Sequence, residues 1–167
     1  VLLTDAVIFA FGGAHLELGE HMLSSEYFPN TKLSMEPELR SSLKEYYDFL
    51  VAYQNLLRDG GSFNSLKVES LEEEVTINQW PPVFSQTASV TKQVGESQVV
   101  HLLNFDGAST LQWRDDTRIQ TAPSVKTSFE VVIDAEKQVS KVWFASPDTN
   151  GGASRELQFN QNGTQVS

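Results

Sequence analysis

The sequence contains no cysteine among its 167 residues. Disulfide bonds, thiolate metal sites and cysteine nucleophiles are therefore excluded. It also lacks any apolar run approaching the roughly 18 residues of a membrane-spanning helix. No signal peptide is recognisable, but we expect this chain to be a fragment, so that absence says nothing about export.

Basic residues are scarce. Twelve Lys and Arg stand against 22 Asp and Glu, which gives a formal net charge of −10. This charge argues against binding to nucleic acid or to an anionic membrane surface, whereas a neutral substrate such as a sugar is unaffected. Hydrophobic residues make up 40% of the chain, and ten Phe, four Tyr and three Trp can build a core. No phosphate-binding glycine motif and no serine-hydrolase elbow is present.

The opening segment is the most informative part of the sequence. Residues 2–10 are almost wholly apolar and are followed by Gly12, Gly13, His15 and Glu17. This pattern predicts a buried parallel strand that delivers polar side chains to the mouth of a barrel. Because a single strand cannot bury itself, we expect the rest of that barrel to precede this chain.

A long helix is predicted next, from about Ser34 to Gly60. Ser34 can cap it, and Pro37 is tolerated in its first turn. Apolar residues then recur at spacings of three and four, which is typical of one buried stripe. The stripe comprises Leu39, Leu43, Tyr46, Leu50, Tyr53 and Leu57.

From about residue 62 the pattern changes to short strands with turn residues every eight to twelve positions, as in a β-sandwich. An Asn-Gly turn signal at Asn162 predicts that a strand returns after it. Because the sequence stops at Ser167, we expect the sandwich to lack its last strand. The predicted strands are 66–68, 75–79, 89–94, 98–104, 117–121, 125–133, 138–145 and 155–160.

The densest group of ionisable residues comprises His15, Glu17, Glu20 and His21. Three interpretations are open: a structural loop, a sugar-binding site, or a metal site. The spacing does not match the helical His-Glu-x-x-His pattern, which disfavours metal. The sugar-binding interpretation is favoured because His and carboxylate side chains can form hydrogen bonds with vicinal sugar hydroxyls.

Tryptophans offer a second kind of site. Trp113 could stack on a sugar face as in a carbohydrate-binding module, but a lone Trp in such a fold is more often a core or interdomain residue. Trp80 precedes two prolines and is typical of a rigid edge or a domain contact.

Several motifs resemble glycoside hydrolase family 66, whose members are dextranases and enzymes that cyclise isomaltooligosaccharides. One is Gly-Gly-Ala-His-Leu-Glu-Leu-Gly-Glu at residues 12–20. A small residue is expected beside this glycine pair, and Phe11 departs from it. Further motifs lie at residues 3–6, 22–24, 26–30, 46–60, 100–105 and 113–115.

The resemblance implies a mixed, mainly β chain that holds the last β/α unit of a (β/α)8 barrel (residues 1–61) and an antiparallel Greek-key β-sandwich (residues 62–167). It implies a secreted or cell-surface bacterial enzyme that cleaves internal α-1,6-glucosidic bonds of dextran with retention, without a cofactor or metal. The alternatives are a cyclising glucanotransferase and a non-catalytic carbohydrate-binding module.

The resemblance also says where the functional residues belong. The catalytic Asp and Glu lie on earlier barrel strands, so no catalytic residue is assigned in this chain, which alone should be inactive. By position in the family motif, Gly12, Gly13, His15 and Glu17 are the expected substrate-binding residues. The implied partners are α-1,6-glucan and the rest of the catalytic barrel.

Overall fold

The computed structural model describes residues 1–16, 34–115, 117 and 119–167. Its described part is mainly β with few helices, consistent with a β-sandwich. Three helices come first, namely α1 (Leu2–Ala10), α2 (Pro37–Ala52) and α3 (Gln54–Leu57). Ten strands follow: β1 (Ser62–Asn64), β2 (Val68–Ser70), β3 (Ile77–Gln79), β4 (Thr87–Val94), β5 (Ser97–Asn104), β6 (Val131–Asp134), β7 (Val142–Phe144), β8 (Arg155–Leu157), β9 (Gln161–Asn162) and β10 (Gln165–Val166).

The opening segment is a helix, so the prediction of a barrel strand over residues 2–10 is wrong. A short continuous apolar run is compatible with either a buried strand or a buried helix, because periodicity cannot separate the two. Leu and Ala, which occur repeatedly in α1, favour the helix. Val7, Phe9 and Ala10 are buried by residues of this chain itself, contrary to the expectation that they await a missing barrel.

The long helix is confirmed with two differences. It starts at Pro37 with Glu36 as the N-cap residue, rather than being capped by Ser34. Its apolar stripe does face inward, with Leu43 and Tyr46 buried, but Tyr53 interrupts the helix and separates α2 from α3.

Strand β4 organises the first sheet. Strand β5 pairs along the whole of one edge of β4, and β1 and β3 share the other edge one after the other. The β3–β4 pair is parallel, which departs from the antiparallel pairing expected throughout. Strands β2, β6, β10 and β9 form a second sheet in that order, and β7 pairs with β8.

The predicted strand at 117–121 is not found among its described residues, and only the end of 125–133 is a strand. In this segment, side chains rather than neighbouring strands form hydrogen bonds with several backbone N–H and C=O groups. The Asp115 carboxylate accepts the N–H groups of Ile119 and Gln120, and the Asn104 side chain donates to the Ser124 carbonyl. The strand that must return after Asn162 is present as β10.

One hydrophobic core joins the helical part to the first sheet. Strands β4 and β5 supply three of its buried side chains, the residue after β5 supplies a fourth, and α1 supplies the other two. The buried members are Val7, Ala10, Ala88, Val90, Leu103 and Phe105, with Trp80 and Trp113 packed against them.

Candidate functional site

The glycine pair ends α1. The Gly13 N–H donates to the Ile8 carbonyl at 2.8 Å and the Gly12 N–H donates to the Phe9 carbonyl at 3.0 Å. Gly12 has φ +80°, so these bonds form a Schellman motif with glycine in the left-handed position. An apolar run followed by glycine is itself a helix-stop signal, and it could have identified α1 from the sequence.

His15 binds a buried carboxylate that no pattern in the sequence singles out. Its Nδ1 lies 2.6 Å from Oδ1 of Asp5, whose side chain is fully buried within α1. Burial raises the pKa of Asp5, and the hydrogen bond and charge of His15 oppose that rise. Among the described residues, Oδ2 of Asp5 has no hydrogen-bond partner. The pair therefore fixes the His15 imidazole to the core beside the helix end.

The other members of the predicted cluster, Glu17, Glu20 and His21, lie outside the described residues. Within residues 1–16, 34–115, 117 and 119–167, no group of three His, Asp or Glu side chains is arranged to hold a metal ion. Of the predicted substrate-binding residues, the structure therefore brings together Gly12, Gly13 and His15, and their role in substrate binding stays a prediction.

Beside the helix end lies an apolar cleft of about 440 Å³, which we call the aromatic cleft. The ring centroids of Phe11 and Trp80 are 5.1 Å apart in an edge-on arrangement, and Trp80 packs in turn on Phe105. The carbonyl of Trp113 accepts the Thr4 hydroxyl at 2.8 Å, which ties α1 to the sandwich. The cleft is lined by Val7, Ile8, Phe11, Gly13, Trp80 and Trp113.

Two basic residues lie deeper in the sandwich. Lys92 is buried, and its Nζ donates to the Leu57 carbonyl at the end of α3 at 2.9 Å. Burial lowers the pKa of His101 to about 4, and the Lys92 charge contributes to that shift. Sequence reasoning missed both residues, because β4 and β5 are polar enough at these positions to suggest a solvent-facing side.

These features define a mainly β domain with an attached helical part, with a His–Asp pair and an aromatic cleft at their junction. The sequence model of Glycosyl hydrolase family 66 matches residues 1–167. The chain therefore belongs to this family, as its motifs predicted.

The relatives are two kinds of enzyme. A cycloisomaltooligosaccharide glucanotransferase of Niallia circulans is 34% identical over 162 residues, which is 95% of this chain and 17% of that protein. A dextranase of Streptococcus salivarius is 35% identical over 77 residues, covering 41% of this chain and 9% of that protein.

A solved structure shares the fold. The cycloisomaltooligosaccharide glucanotransferase of Paenibacillus, complexed with cycloisomaltoheptaose, superposes with a TM-score of 0.86 at 30% identity. The superposition covers 98% of this chain and 24% of that one. This chain thus spans between a sixth and a quarter of the length of the glucanotransferases it matches. Within the described residues, no helix has the length and apolarity to cross a membrane.

Proposed function

We propose that this chain is part of a glycosidase that cleaves internal α-1,6-glucosidic bonds of dextran with retention. The observation that carries the proposal is the match of the family over residues 1–167, together with relatives that are dextranases and glucanotransferases. Retention requires a carboxylate nucleophile and a carboxylic acid that protonates the leaving group. We place both on earlier barrel strands, with residues 1–61 as the C-terminal end of that barrel.

A second candidate is the cyclising glucanotransferase. The curated glucanotransferase matches 95% of the chain and the dextranase only 41%, and this difference in coverage favours cyclisation. The two reactions share the covalent glycosyl-enzyme intermediate. They differ in the acceptor, which is water in hydrolysis and a hydroxyl at the other end of the same glucan in cyclisation.

Incubating the complete gene product with dextran tests both candidates. Release of reducing sugar with linear isomaltooligosaccharides is expected of a dextranase, and rings without new reducing ends are expected of a glucanotransferase. Activity on other polysaccharides but not on dextran would show that dextran is not the substrate. The 167-residue chain alone is the negative control.

The predicted sugar contacts are tested in the same enzyme. We expect His15→Ala and Glu17→Ala to raise KM for dextran, and the exposed Glu136→Ala to leave it unchanged. An unchanged KM in both variants would remove these residues from the substrate site.

We also propose that the enzyme acts outside the cell, because dextran is a polymer. Activity found only in washed, lysed cells would contradict that placement.

The remaining alternative is a carbohydrate-binding module. Trp113 packs against the core and holds α1 through Thr4, which supports a structural role. We therefore expect no binding when the chain is titrated with isomaltooligosaccharides. Millimolar binding that is lost on Trp113→Ala would favour the module.

A further inference from the structure

We propose that Asp5 is a positioning residue for substrate binding: its buried carboxylate holds the His15 imidazole so that Nε2 accepts a hydrogen bond from a glucan hydroxyl. This inference rests on the proposed function, because it takes His15 as a substrate-binding residue. It gives Asp5 a role that acts through His15 and needs no contact between Asp5 and the substrate.

The burial of Asp5 calls for an explanation. This residue lies in the first turn of α1, and its side chain is 0% exposed. An acid in this turn interacts favourably with the helix dipole, but an exposed acid would do so without losing its hydration. Burial raises the pKa of Asp5, and its Oδ2 has no hydrogen-bond partner among the described residues. Stability does not account for Asp5, because a buried carboxylate with one unpaired oxygen costs free energy in the fold.

The turn after α1 allows His15 to reach this carboxylate. The Gly13 N–H donates to the Ile8 carbonyl at 2.8 Å, so the chain turns back along α1 as soon as the helix ends. A Cβ on Gly13 would lie 2.7 Å from Cγ2 of Ile8, which is too close for any larger residue to fit without a shift. Two residues later, Nδ1 of His15 lies 2.6 Å from Oδ1 of Asp5, ten positions earlier in the chain.

The pair selects one form of the imidazole ring. An ionised carboxylate only accepts hydrogen bonds, and imidazole is ordinarily the stronger base, so we assign the shared proton to Nδ1. In the neutral ring, Nε2 is then the acceptor. The His15 side chain is 37% exposed, so a ligand can reach the ring while the carboxylate behind it stays buried. A sugar hydroxyl, which can donate, is the group that matches this nitrogen.

Substitutions of Asp5 in the complete gene product test this role. Asp5→Asn keeps the shape of the side chain, but its amide can also donate to Nδ1 of His15 and so favour the other tautomer. We expect KM for dextran to rise about three- to tenfold, the effect of one lost hydrogen bond, with kcat unchanged. Asp5→Ala should raise KM similarly and is the second variant, because alanine favours the helix and removes the unpaired oxygen.

The control is Asp148→Asn. Asp148 is another carboxylate that accepts a hydrogen bond from a side chain, here the Tyr46 hydroxyl, and its partner is not a predicted substrate-binding residue. This substitution should leave KM for dextran unchanged.

A double-mutant cycle separates positioning from a structural role. In the His15→Ala background, Asp5→Asn should leave KM within about twofold of that of His15→Ala alone, because Asp5 acts only through His15. Additive increases in KM would show that Asp5 acts through the fold. Failure of both Asp5 variants to fold would likewise make Asp5 a structural residue and overturn the proposal.

The remaining results distinguish this inference from the proposed function. An active enzyme in which His15→Ala raises KM and neither Asp5 variant does so rejects the positioning role alone. An unmodified gene product that does not act on dextran rejects the proposed function, and this inference with it.

Discussion

Gly12 occupies a backbone position that other residues tolerate poorly. Its φ of +80° lies in the left-handed region, and a Cβ there would approach the Leu57 carbonyl oxygen to 3.2 Å. The first constraint comes from the Schellman motif that ends α1, and the second arises because α1 ends against the end of α3. The glycine is thus explained by helix packing without reference to substrate.

Gly12→Ala should destabilise the chain by about 2 kcal/mol, since it adds the left-handed penalty of about 1–2 kcal/mol to a close backbone contact. Gly163→Ala is the matched control, because Gly163 has φ +62° with open space around it. The free energy of unfolding in urea measures both. An equal loss in the two variants would show that the contact with Leu57 does not matter.

His101 makes stability depend on pH. It pairs across the strands with Val90, and its buried Nε2 has no hydrogen-bond partner among the described residues. Its pKa is about 4 in the folded chain against an ordinary value of 6.5. The unfolded chain therefore binds more protons between these values. Stability is fully present above about pH 6.5 and is lost as the pH falls towards 4.

Between pH 7 and pH 5 the chain should lose about 2 kcal/mol through this residue. His101→Gln cannot be protonated, so it should remove that part of the pH dependence. Urea unfolding of both proteins at pH 7, 6 and 5 gives the difference. Parallel pH profiles would contradict the low pKa of His101.

At the scale of elements, two tyrosines fasten α2 to the sandwich. The Tyr46 hydroxyl donates to the Asp148 carboxylate at 2.8 Å, and the Tyr53 hydroxyl donates to the Gly152 carbonyl at 2.9 Å. Burial, and then the Asp148 charge, raises the pKa of Tyr46 above its ordinary value of 10, so the hydroxyl is a donor at neutral pH. Both bonds reach the same turn at residues 148–152.

A double-mutant cycle isolates the first bond. Tyr46→Phe should cost about 1–2 kcal/mol, and its coupling to Asp148→Ala should be about 1 kcal/mol. Tyr53 shares no partner with Asp148, so Tyr53→Phe combined with Asp148→Ala should be additive. Coupling in the second cycle, or none in the first, would contradict this arrangement.

The elements also show what the sequence could and could not predict. Helix α2 was predictable because Pro37 and the Leu43–Tyr46 stripe agree, and the β4–β5 hairpin because Gly95 marks its turn. Helix α1 was not, since its apolar run fits two structures and the deciding glycine pair was interpreted as part of a ligand site. Asp5 was missed because a lone acid in an apolar run does not reveal its distant partner, here His15.

For the whole molecule, the predicted boundary between residues 61 and 62 runs through a shared core. Val7 and Ala10 pack with β4 and β5, and Lys92 and Thr4 add hydrogen bonds across the same boundary. Elements that share one core unfold together. The helices and the sandwich should therefore show a single transition in this chain.

Val7→Ala tests this cooperativity from the helical side. Removing two buried methyl groups should cost about 2 kcal/mol, and the loss should shift helix and sandwich equally. Far-UV circular dichroism at 222 nm reports the helices, and tryptophan fluorescence reports the sandwich, which carries Trp80, Trp113 and Trp143. The two midpoints should coincide before and after the substitution.

Val51→Ala is the control for Val7→Ala. Val51 lies in α2 and is 71% exposed, so this substitution should move neither midpoint. A helical signal that is lost first in Val7→Ala, with fluorescence unchanged, would show two independent units, because a shared core cannot weaken on one side only.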